Sequence, residues 1–197
     1  MPVTPSALRP GDVIVLRTPD MAGWWIRRRA LMRAYRWQPW RWLSDKATLV
    51  NHVALFTHVD ADGHPRGLEG RPGGFGWANL EAYLADPATI ANTEQPKTDE
   101  QRTRVVALAM RAVGIPYDWA AIVAFAAGAA GLPFLPREWP PDGLPSHMVC
   151  SSAADYFYEA AGLANPGGDA VTRATDPQAW EQFVTGKLWL AQGQPGQ

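Results

Sequence analysis

A buried β-strand is predicted for Asn51-His-Val-Ala-Leu-Phe-Thr57, in which one histidine is followed by four apolar residues. Alternate side chains of a strand face opposite sides of a sheet, and here both sides are largely apolar. His52 is the exception, because a buried imidazole needs a hydrogen-bond partner for each of its ring nitrogens. A carboxylate on a neighbouring strand is a natural partner for one of them.

The residues after this strand predict a hairpin that brings such a carboxylate back. Asp60-Ala-Asp-Gly-His-Pro65 is a turn signal, since Asp-Gly supplies the positive φ that tight turns need. The chain then returns as a strand over 67–69, which places Glu69 within a few residues of His52. The alternative is a satisfied core histidine with an unrelated surface Glu69. The glycine-rich stretch 71–76 is predicted to be a loop.

The remaining patterns predict an α+β domain with a small antiparallel sheet or half-barrel packed against helices. A turn over 8–12 precedes a short apolar strand over 13–16, and helices are predicted over 21–43, 80–84, 99–113 and from 150 onward. At 197 residues the chain has the length of one ordinary domain. We therefore expect a single domain over 1–191 and a disordered tail over 192–197.

The only cysteine, Cys150, opens a predicted amphipathic helix. A helix N-terminus favours a thiolate, and the first-turn amides, including that of Ser151, suit an oxyanion. The spacing from Ser152 to Asp155 resembles a capping box that begins the helix here. Two alternatives stay open, which are a small buried thiol and a zinc site built from Cys150, His147 and His52.

Several short motifs resemble parts of the NlpC-type papain-like cysteine peptidases. The stretch Gly114-Ile-Pro-Tyr-Asp-Trp119, followed later by Cys150-Ser-Ser-Ala153, resembles the opening half of that family. The stretch over 8–15 and the strand from Asn51 resemble its closing half, and 172–177 resembles a proline-containing stretch that follows the cysteine helix. Since the cysteine half comes last here, the chain resembles a circularly permuted member, in a lineage that includes lipid-acting acyltransferases.

This resemblance implies a role for each site residue in a permuted papain-like fold with its nucleophile at a helix N-terminus. Cys150 would be the nucleophile, His52 the general base and then acid, and Glu69 the group that orients His52. Tyr117 matches a family tyrosine whose hydroxyl helps to hold the oxyanion. Two departures are Val149, where the family has an aspartate, and the 30 residues between Trp119 and Cys150, which exceed the usual spacing.

The implied activity is a cysteine hydrolase that cleaves an amide bond in a peptide or a peptidoglycan stem through an acyl-enzyme. An acyltransferase or esterase acting on lipids or thioesters at a membrane surface is the alternative, and a catalytically silent binding module is a third. None of these chemistries calls for a metal or another cofactor. The charge of −1 and the pI near 6.4 give no field that would gather nucleic acid, so no nucleic-acid partner is expected.

The segment 24–46 is the most basic and aromatic part of the chain. Six arginines, one lysine and one aspartate give it a local charge of +6, and it holds five tryptophans. It suits an anionic membrane or a cell-wall glycan, although a helix with its tryptophans packed inward fits equally. The candidate surface residues are Trp24, Trp25, Arg28, Trp37 and Trp40.

The start of the chain and its hydropathy predict a cytoplasmic protein by default. The first residues lack the basic and apolar regions of a secretory signal, and no run reaches about 18 consecutive apolar residues. Delivery by other machinery stays open.

Overall fold

The computed structural model describes residues 3–19, 50–123, 144–167 and 177–186. These residues form a mixed α+β structure with one five-stranded antiparallel sheet. Its strands are β1 (Val13–Leu16), β2 (His52–Val59), β3 (Pro65–Arg71), β4 (Gly74–Asn79) and β5 (Ile90–Ala91), in the order β4-β3-β2-β1-β5. The helices are α1 (Glu81–Ala85), α2 (Asp99–Arg111), α3 (Cys150–Ala160) and α4 (Pro177–Val184), with a 3-10 turn at Pro5–Ala7.

The predicted strand from residue 51 is confirmed as β2, the central strand of the sheet. It pairs with β1, where Val15 lies opposite Val53, and with β3, where Glu69 lies opposite Ala54. The predicted hairpin turn is also confirmed, because Gly63 has a φ of 86° at its tip. His52 and Glu69 are thereby brought to the same end of two neighbouring strands.

The predicted glycine-rich loop over 71–76 is wrong in most of its length. β3 continues to Arg71 and β4 begins at Gly74, so only two residues form the turn between them. Gly74 has a φ of 114°, and a Cβ there would lie 3.0 Å from the carbonyl oxygen of Ile115. Glycine thus permits both the turn and a close approach by the segment that begins at Gly114.

The two faces of the sheet are both buried, as the apolar alternation of β2 predicts. Val53 and Leu55 pack toward α2, α3 and α4, whereas Ala54 and Phe56 pack toward α1. The largest buried side chains on the first side are Phe157, Tyr158 and Trp180. The sheet is therefore an internal layer, which explains why its polar residues need partners.

Helix α2 has explicit start and stop signals. The Thr98 hydroxyl accepts from the amide of Gln101, whose side chain accepts in return from the amide of Thr98, so the two form a capping box. Gly114, with a φ of 90°, follows the helix end. The predicted helix over 99–113 is confirmed to within two residues.

Asp12, at the start of β1, is the centre of a buried charge cluster. Its Oδ1 lies 2.9 Å from Lys97 Nζ and 2.8 Å from Arg102 Nη1. The Lys97 side chain is 0% exposed, and burial lowers its pKa against the opposing effect of Asp12. The Asp12 carboxylate thus joins the residue before β1 to α2 through Arg102, and to the segment that leads into α2 through Lys97, and both cations have little access to water.

No helix among the described residues has the length and apolar character that a membrane span requires.

Candidate active site

The nucleophile candidate, Cys150, is the first residue of α3. Val149 occupies the N-cap with extended backbone, and its side chain makes no capping hydrogen bond. The predicted capping box from Ser152 to Asp155 is therefore wrong, because Ser152 is already inside the first helical turn. The position of Cys150 at the helix start nevertheless agrees with the sequence prediction.

His52 and Glu69 are in direct contact inside the protein. Nε2 of His52 lies 2.7 Å from Oε2 of Glu69, and the two residues are 6% and 2% exposed. Because Nε2 contacts the carboxylate, Nδ1 is the ring nitrogen that remains for Cys150. The predicted pair is thus present in this structure, and it follows from the hairpin register.

The sulfur of Cys150 lies where β2 and β3 begin to separate. The ladder between these strands ends at Ala54 and Glu69, so Val53 and Gly70 would form its next pair. Instead, the amide of Val53 donates to the Cys150 sulfur, which is also hydrogen-bonded to the His52 ring and to the amide of Ser151. The sulfur therefore takes the place that a carbonyl acceptor would have in the ladder.

Gly70 allows the start of α3 to approach β3 this closely. A Cβ at this position would lie 3.2 Å from the Cys150 nitrogen and 3.3 Å from its Cα, which is tighter than nine in ten real Cβ contacts. The contact is with backbone, which cannot turn away as a side chain can. The glycine therefore helps to set the position of the sulfur.

Gly70→Ala is expected to slow alkylation of Cys150 by iodoacetamide about three- to tenfold, because a displacement of a few tenths of an ångström weakens the hydrogen bonds to the sulfur. The matched control is Gly76→Ala on β4, where a Cβ has no described atom within 4 Å. Equal alkylation rates for the two variants and the parent protein would contradict the assignment.

Cys150 and His52 shift each other's pKa in opposite directions. Burial opposes the charge on His52, but attraction to the sulfur and hydrogen bonds to Cys150 and Glu69 outweigh it and raise the His52 pKa to about 10. Burial likewise opposes the thiolate, whereas the imidazolium and the amides of Val53 and Ser151 lower the Cys150 pKa below its ordinary value. Each member of the pair therefore favours the charged form of the other.

Arg71 completes the site on the far side of Glu69, and the sequence analysis missed it. Its Nε is ion-paired with Oε1 of Glu69, and its Nη2 donates to the hydroxyl of Tyr83. The loop predicted over 71–76 includes Arg71, and a loop position does not indicate that Arg71 shares a strand face with Glu69. The signal that could have found it is the two-residue spacing, since residues two apart on a strand share a face.

The motif containing Tyr117 runs beside the residues that lead into Cys150. Tyr117 forms a parallel bridge with Met148, the Met148 amide donates to Pro116, and the amide of Asp118 donates to Met148. The ring of Tyr117 is buried and meets that of Trp119 edge-on at 5.4 Å. The structure thus places the motif next to the nucleophile segment, while the oxyanion role of the hydroxyl stays a prediction.

Ser151 is buried in the first turn of α3. Its amide donates to the Cys150 sulfur, and its carbonyl oxygen accepts from Trp180 Nε1 at 3.1 Å. The Ser151 backbone therefore links the thiol to α4.

Several predicted residues lie outside the described ranges. These are the candidate surface residues Trp24, Trp25, Arg28, Trp37 and Trp40, the stretch 172–176 and the tail 192–197. As for the zinc alternative, the His147 side chain is exposed, and the described part of the chain holds no group of three or more residues able to bind a metal ion.

Sequence comparison supplies no relative from which a role could be transferred to Cys150. The chain has no significant match to any protein-family model or to any curated protein.

Proposed function

We propose that the protein is a cysteine hydrolase that cleaves an amide bond, in a peptide or a peptidoglycan stem, through Cys150, His52 and Glu69. The observation that carries the proposal is the buried chain of contacts from the sulfur to the imidazole and on to the carboxylate. A thiolate nucleophile, a base and a group that orients the base are the parts of an acyl-transfer site.

The first half of the reaction uses the charges that the site already favours. The thiolate of Cys150 attacks the carbonyl carbon and forms a C–S bond, while the carbonyl electron pair moves to the oxygen. When that oxyanion collapses, the C–N bond breaks and the His52 imidazolium gives its proton to the leaving amine. The products are a thioester on Cys150, a neutral His52 and a free amine.

The second half reverses these roles with water. Neutral His52 takes a proton from a water molecule, whose oxygen attacks the thioester carbonyl. Collapse of this second oxyanion breaks the C–S bond and releases a carboxylic acid, so the thiolate and the imidazolium are restored. Glu69 holds the ring and stabilises its charge throughout, as the aspartate does in serine hydrolases.

The oxyanion of both steps is proposed to be held by first-turn amides of α3 and the hydroxyl of Tyr117. A helix start presents backbone N–H groups to an anion, and the N-cap residue here, Val149, has no side-chain acceptor for them. The parallel bridge between Tyr117 and Met148 supports the assignment of Tyr117, because Met148 lies two residues before Cys150.

The proposed fold is a circularly permuted papain-like one. Its support is the order of the parts along the chain, where the histidine strand comes first and the cysteine helix last. The pairing of the Gly114–Trp119 motif with the segment before Cys150 also fits the resemblance.

Incubation with purified peptidoglycan sacculi is expected to release free amines and to leave an acyl adduct on Cys150. The adduct should appear by intact mass spectrometry and be labile to neutral hydroxylamine, as thioesters are. In Cys150→Ala the adduct should be absent and amine release should fall at least about a thousandfold. The control is Ser146→Ala, an exposed residue four positions earlier. Reactive Cys150 without amine release from sacculi or peptides would contradict the proposal.

A lipid acyltransferase or esterase is the second candidate, and the charge of 24–46 is the observation that favours it. A segment with five tryptophans and a charge of +6 suits an anionic bilayer. In that case the adduct on Cys150 would form from anionic phospholipid vesicles instead of from sacculi. An adduct from neither source would favour the silent binding module.

A further inference from the structure

We infer that Arg71 is a positioning residue of this site, which acts on Cys150 reactivity by fixing the carboxylate of Glu69. The inference deepens the proposed function, since it assigns a fourth residue to the Cys150–His52–Glu69 arrangement. It rests on the contacts that Arg71 makes at both ends of its guanidinium.

The carboxylate of Glu69 has a different cationic partner on each oxygen. Oε2 lies 2.7 Å from His52 Nε2, and Oε1 is ion-paired with Arg71 Nε. The Glu69 side chain is 2% exposed, so water does not compete strongly for either oxygen. Rotation of the carboxylate would break both contacts together, and the two partners therefore fix its plane.

Arg71 can fix Glu69 because it is itself held, although its side chain is 53% exposed. Its Nη2 donates to the hydroxyl of Tyr83, and the guanidinium carbon lies 5.8 Å from the centre of that ring. Tyr83 is held in turn, because its carbonyl oxygen accepts from the Thr89 hydroxyl at 2.5 Å. The planar guanidinium contacts both a carboxylate and a phenol, and a lysine ammonium could reproduce only part of this arrangement.

Loss of Arg71 would leave Oε1 of Glu69 buried without its cation. Among the described residues, Arg71 is the ion-pair partner of this oxygen, which otherwise has no hydrogen-bond partner. A buried carboxylate oxygen without a partner is costly, so the carboxylate is expected to turn toward water and away from His52. The imidazolium would then lose part of its support, and Cys150 would be less often a thiolate.

The test is a double-mutant cycle that measures the second-order rate constant for alkylation of Cys150 by iodoacetamide at pH 6. Arg71→Met is expected to slow alkylation about tenfold, because it removes the charge that is ion-paired with the buried Glu69 carboxylate. Arg71→Lys should recover part of the rate, because it restores the charge. In a Glu69→Gln background, Arg71→Met should change the rate less than about twofold, since its target carboxylate is gone.

The matched control is Arg66→Met, which removes another arginine of β3 that is ion-paired through Nε, here to Asp60 at 2.6 Å. This variant should alkylate like the parent protein. The inference is overturned if Arg71→Met leaves the rate unchanged, if it slows alkylation equally in the Glu69→Gln background, or if Arg71→Lys recovers nothing. A lower melting temperature with an unchanged rate would likewise assign Arg71 a purely structural role.

Failure of this inference and failure of the proposed function give different results. Alkylation needs no natural substrate, so the cycle reports on the site even if no amide is cleaved. If amines are released but Arg71→Met leaves the alkylation rate unchanged, the hydrolase proposal is retained and the positioning role of Arg71 is rejected. The opposite result would retain the positioning role and reject the hydrolase.

Discussion

Replacement of His52 by alanine is expected to slow alkylation of Cys150 by iodoacetamide at pH 6 about ten- to a hundredfold. Without the imidazolium, burial dominates and raises the pKa of the Cys150 thiol above its ordinary value of 9.0. At pH 6 a thiol with that ordinary pKa is only about one-thousandth thiolate. The more basic thiolate is a stronger nucleophile, which recovers part of the loss.

The pH dependence of the same reaction should change in form. In the parent protein the Cys150 pKa is lowered and that of His52 is raised to about 10, so the rate should level off at a lower pH than in His52→Ala. In His52→Ala the rate should still rise with pH beyond 9. Amide cleavage under the proposed function should fall by about a thousandfold or more.

His58→Ala is the matched control, because it removes another histidine from the same strand. His58 lies near the exposed end of β2, where its ring meets Trp77 edge-on at 5.8 Å. Alkylation of this variant should match the parent protein at every pH. Similar pH profiles for His52→Ala and the parent protein would contradict the role of the His52 imidazole in Cys150 reactivity.

Asp12→Ala is expected to lower the free energy of unfolding by about 3–5 kcal/mol, as removal of one partner from a buried ion pair does. The variant would leave Lys97 Nζ and Arg102 Nη1 without the carboxylate that they share. Both side chains are almost inaccessible to water, so solvation cannot replace the lost attraction. Urea unfolding followed by circular dichroism would measure the change.

Asp99→Ala is the control for this second prediction. Asp99 also pairs with an arginine at 2.8 Å, but its side chain is 89% exposed and that of Arg9 is 59% exposed. Exposed pairs contribute little, so the midpoint of unfolding should scarcely move. If both variants lost the same free energy of unfolding, burial of the Asp12 cluster would not explain how much the cluster stabilises the fold.

The parts of the fold that the sequence predicted depend on local patterns. The strands β1 and β2 are predicted by their apolar patterns, and the turn at 60–64 is predicted by its Asp-Gly pair. Each of these signals spans no more than about ten residues. The contact between His52 and Glu69 follows from the same hairpin, since two strands joined by a tight turn bring paired positions together.

The parts that the sequence analysis missed depend on contacts between distant segments. The backbone at the start of α3 meets Gly70, and the N-cap of this helix is Val149 and not, as the Ser152 spacing suggested, Ser152. β4 was hidden because a glycine-rich stretch reads locally as a loop, although its neighbours β3 and Ile115 make it a strand. The role of Arg71 was hidden with it.

The position of the Cys150 sulfur in the β2–β3 ladder restricts how this chain tolerates insertions. Phe56 donates its amide to the carbonyl oxygen of Asp12, directly before β1, so the amides of alternate residues face β1 and that of Val53 faces β3. One residue added within β2 would reverse this alternation and turn the wrong amide toward the sulfur. Residues added at the tip over 60–64 would leave it in place, so natural and engineered length variation should concentrate there.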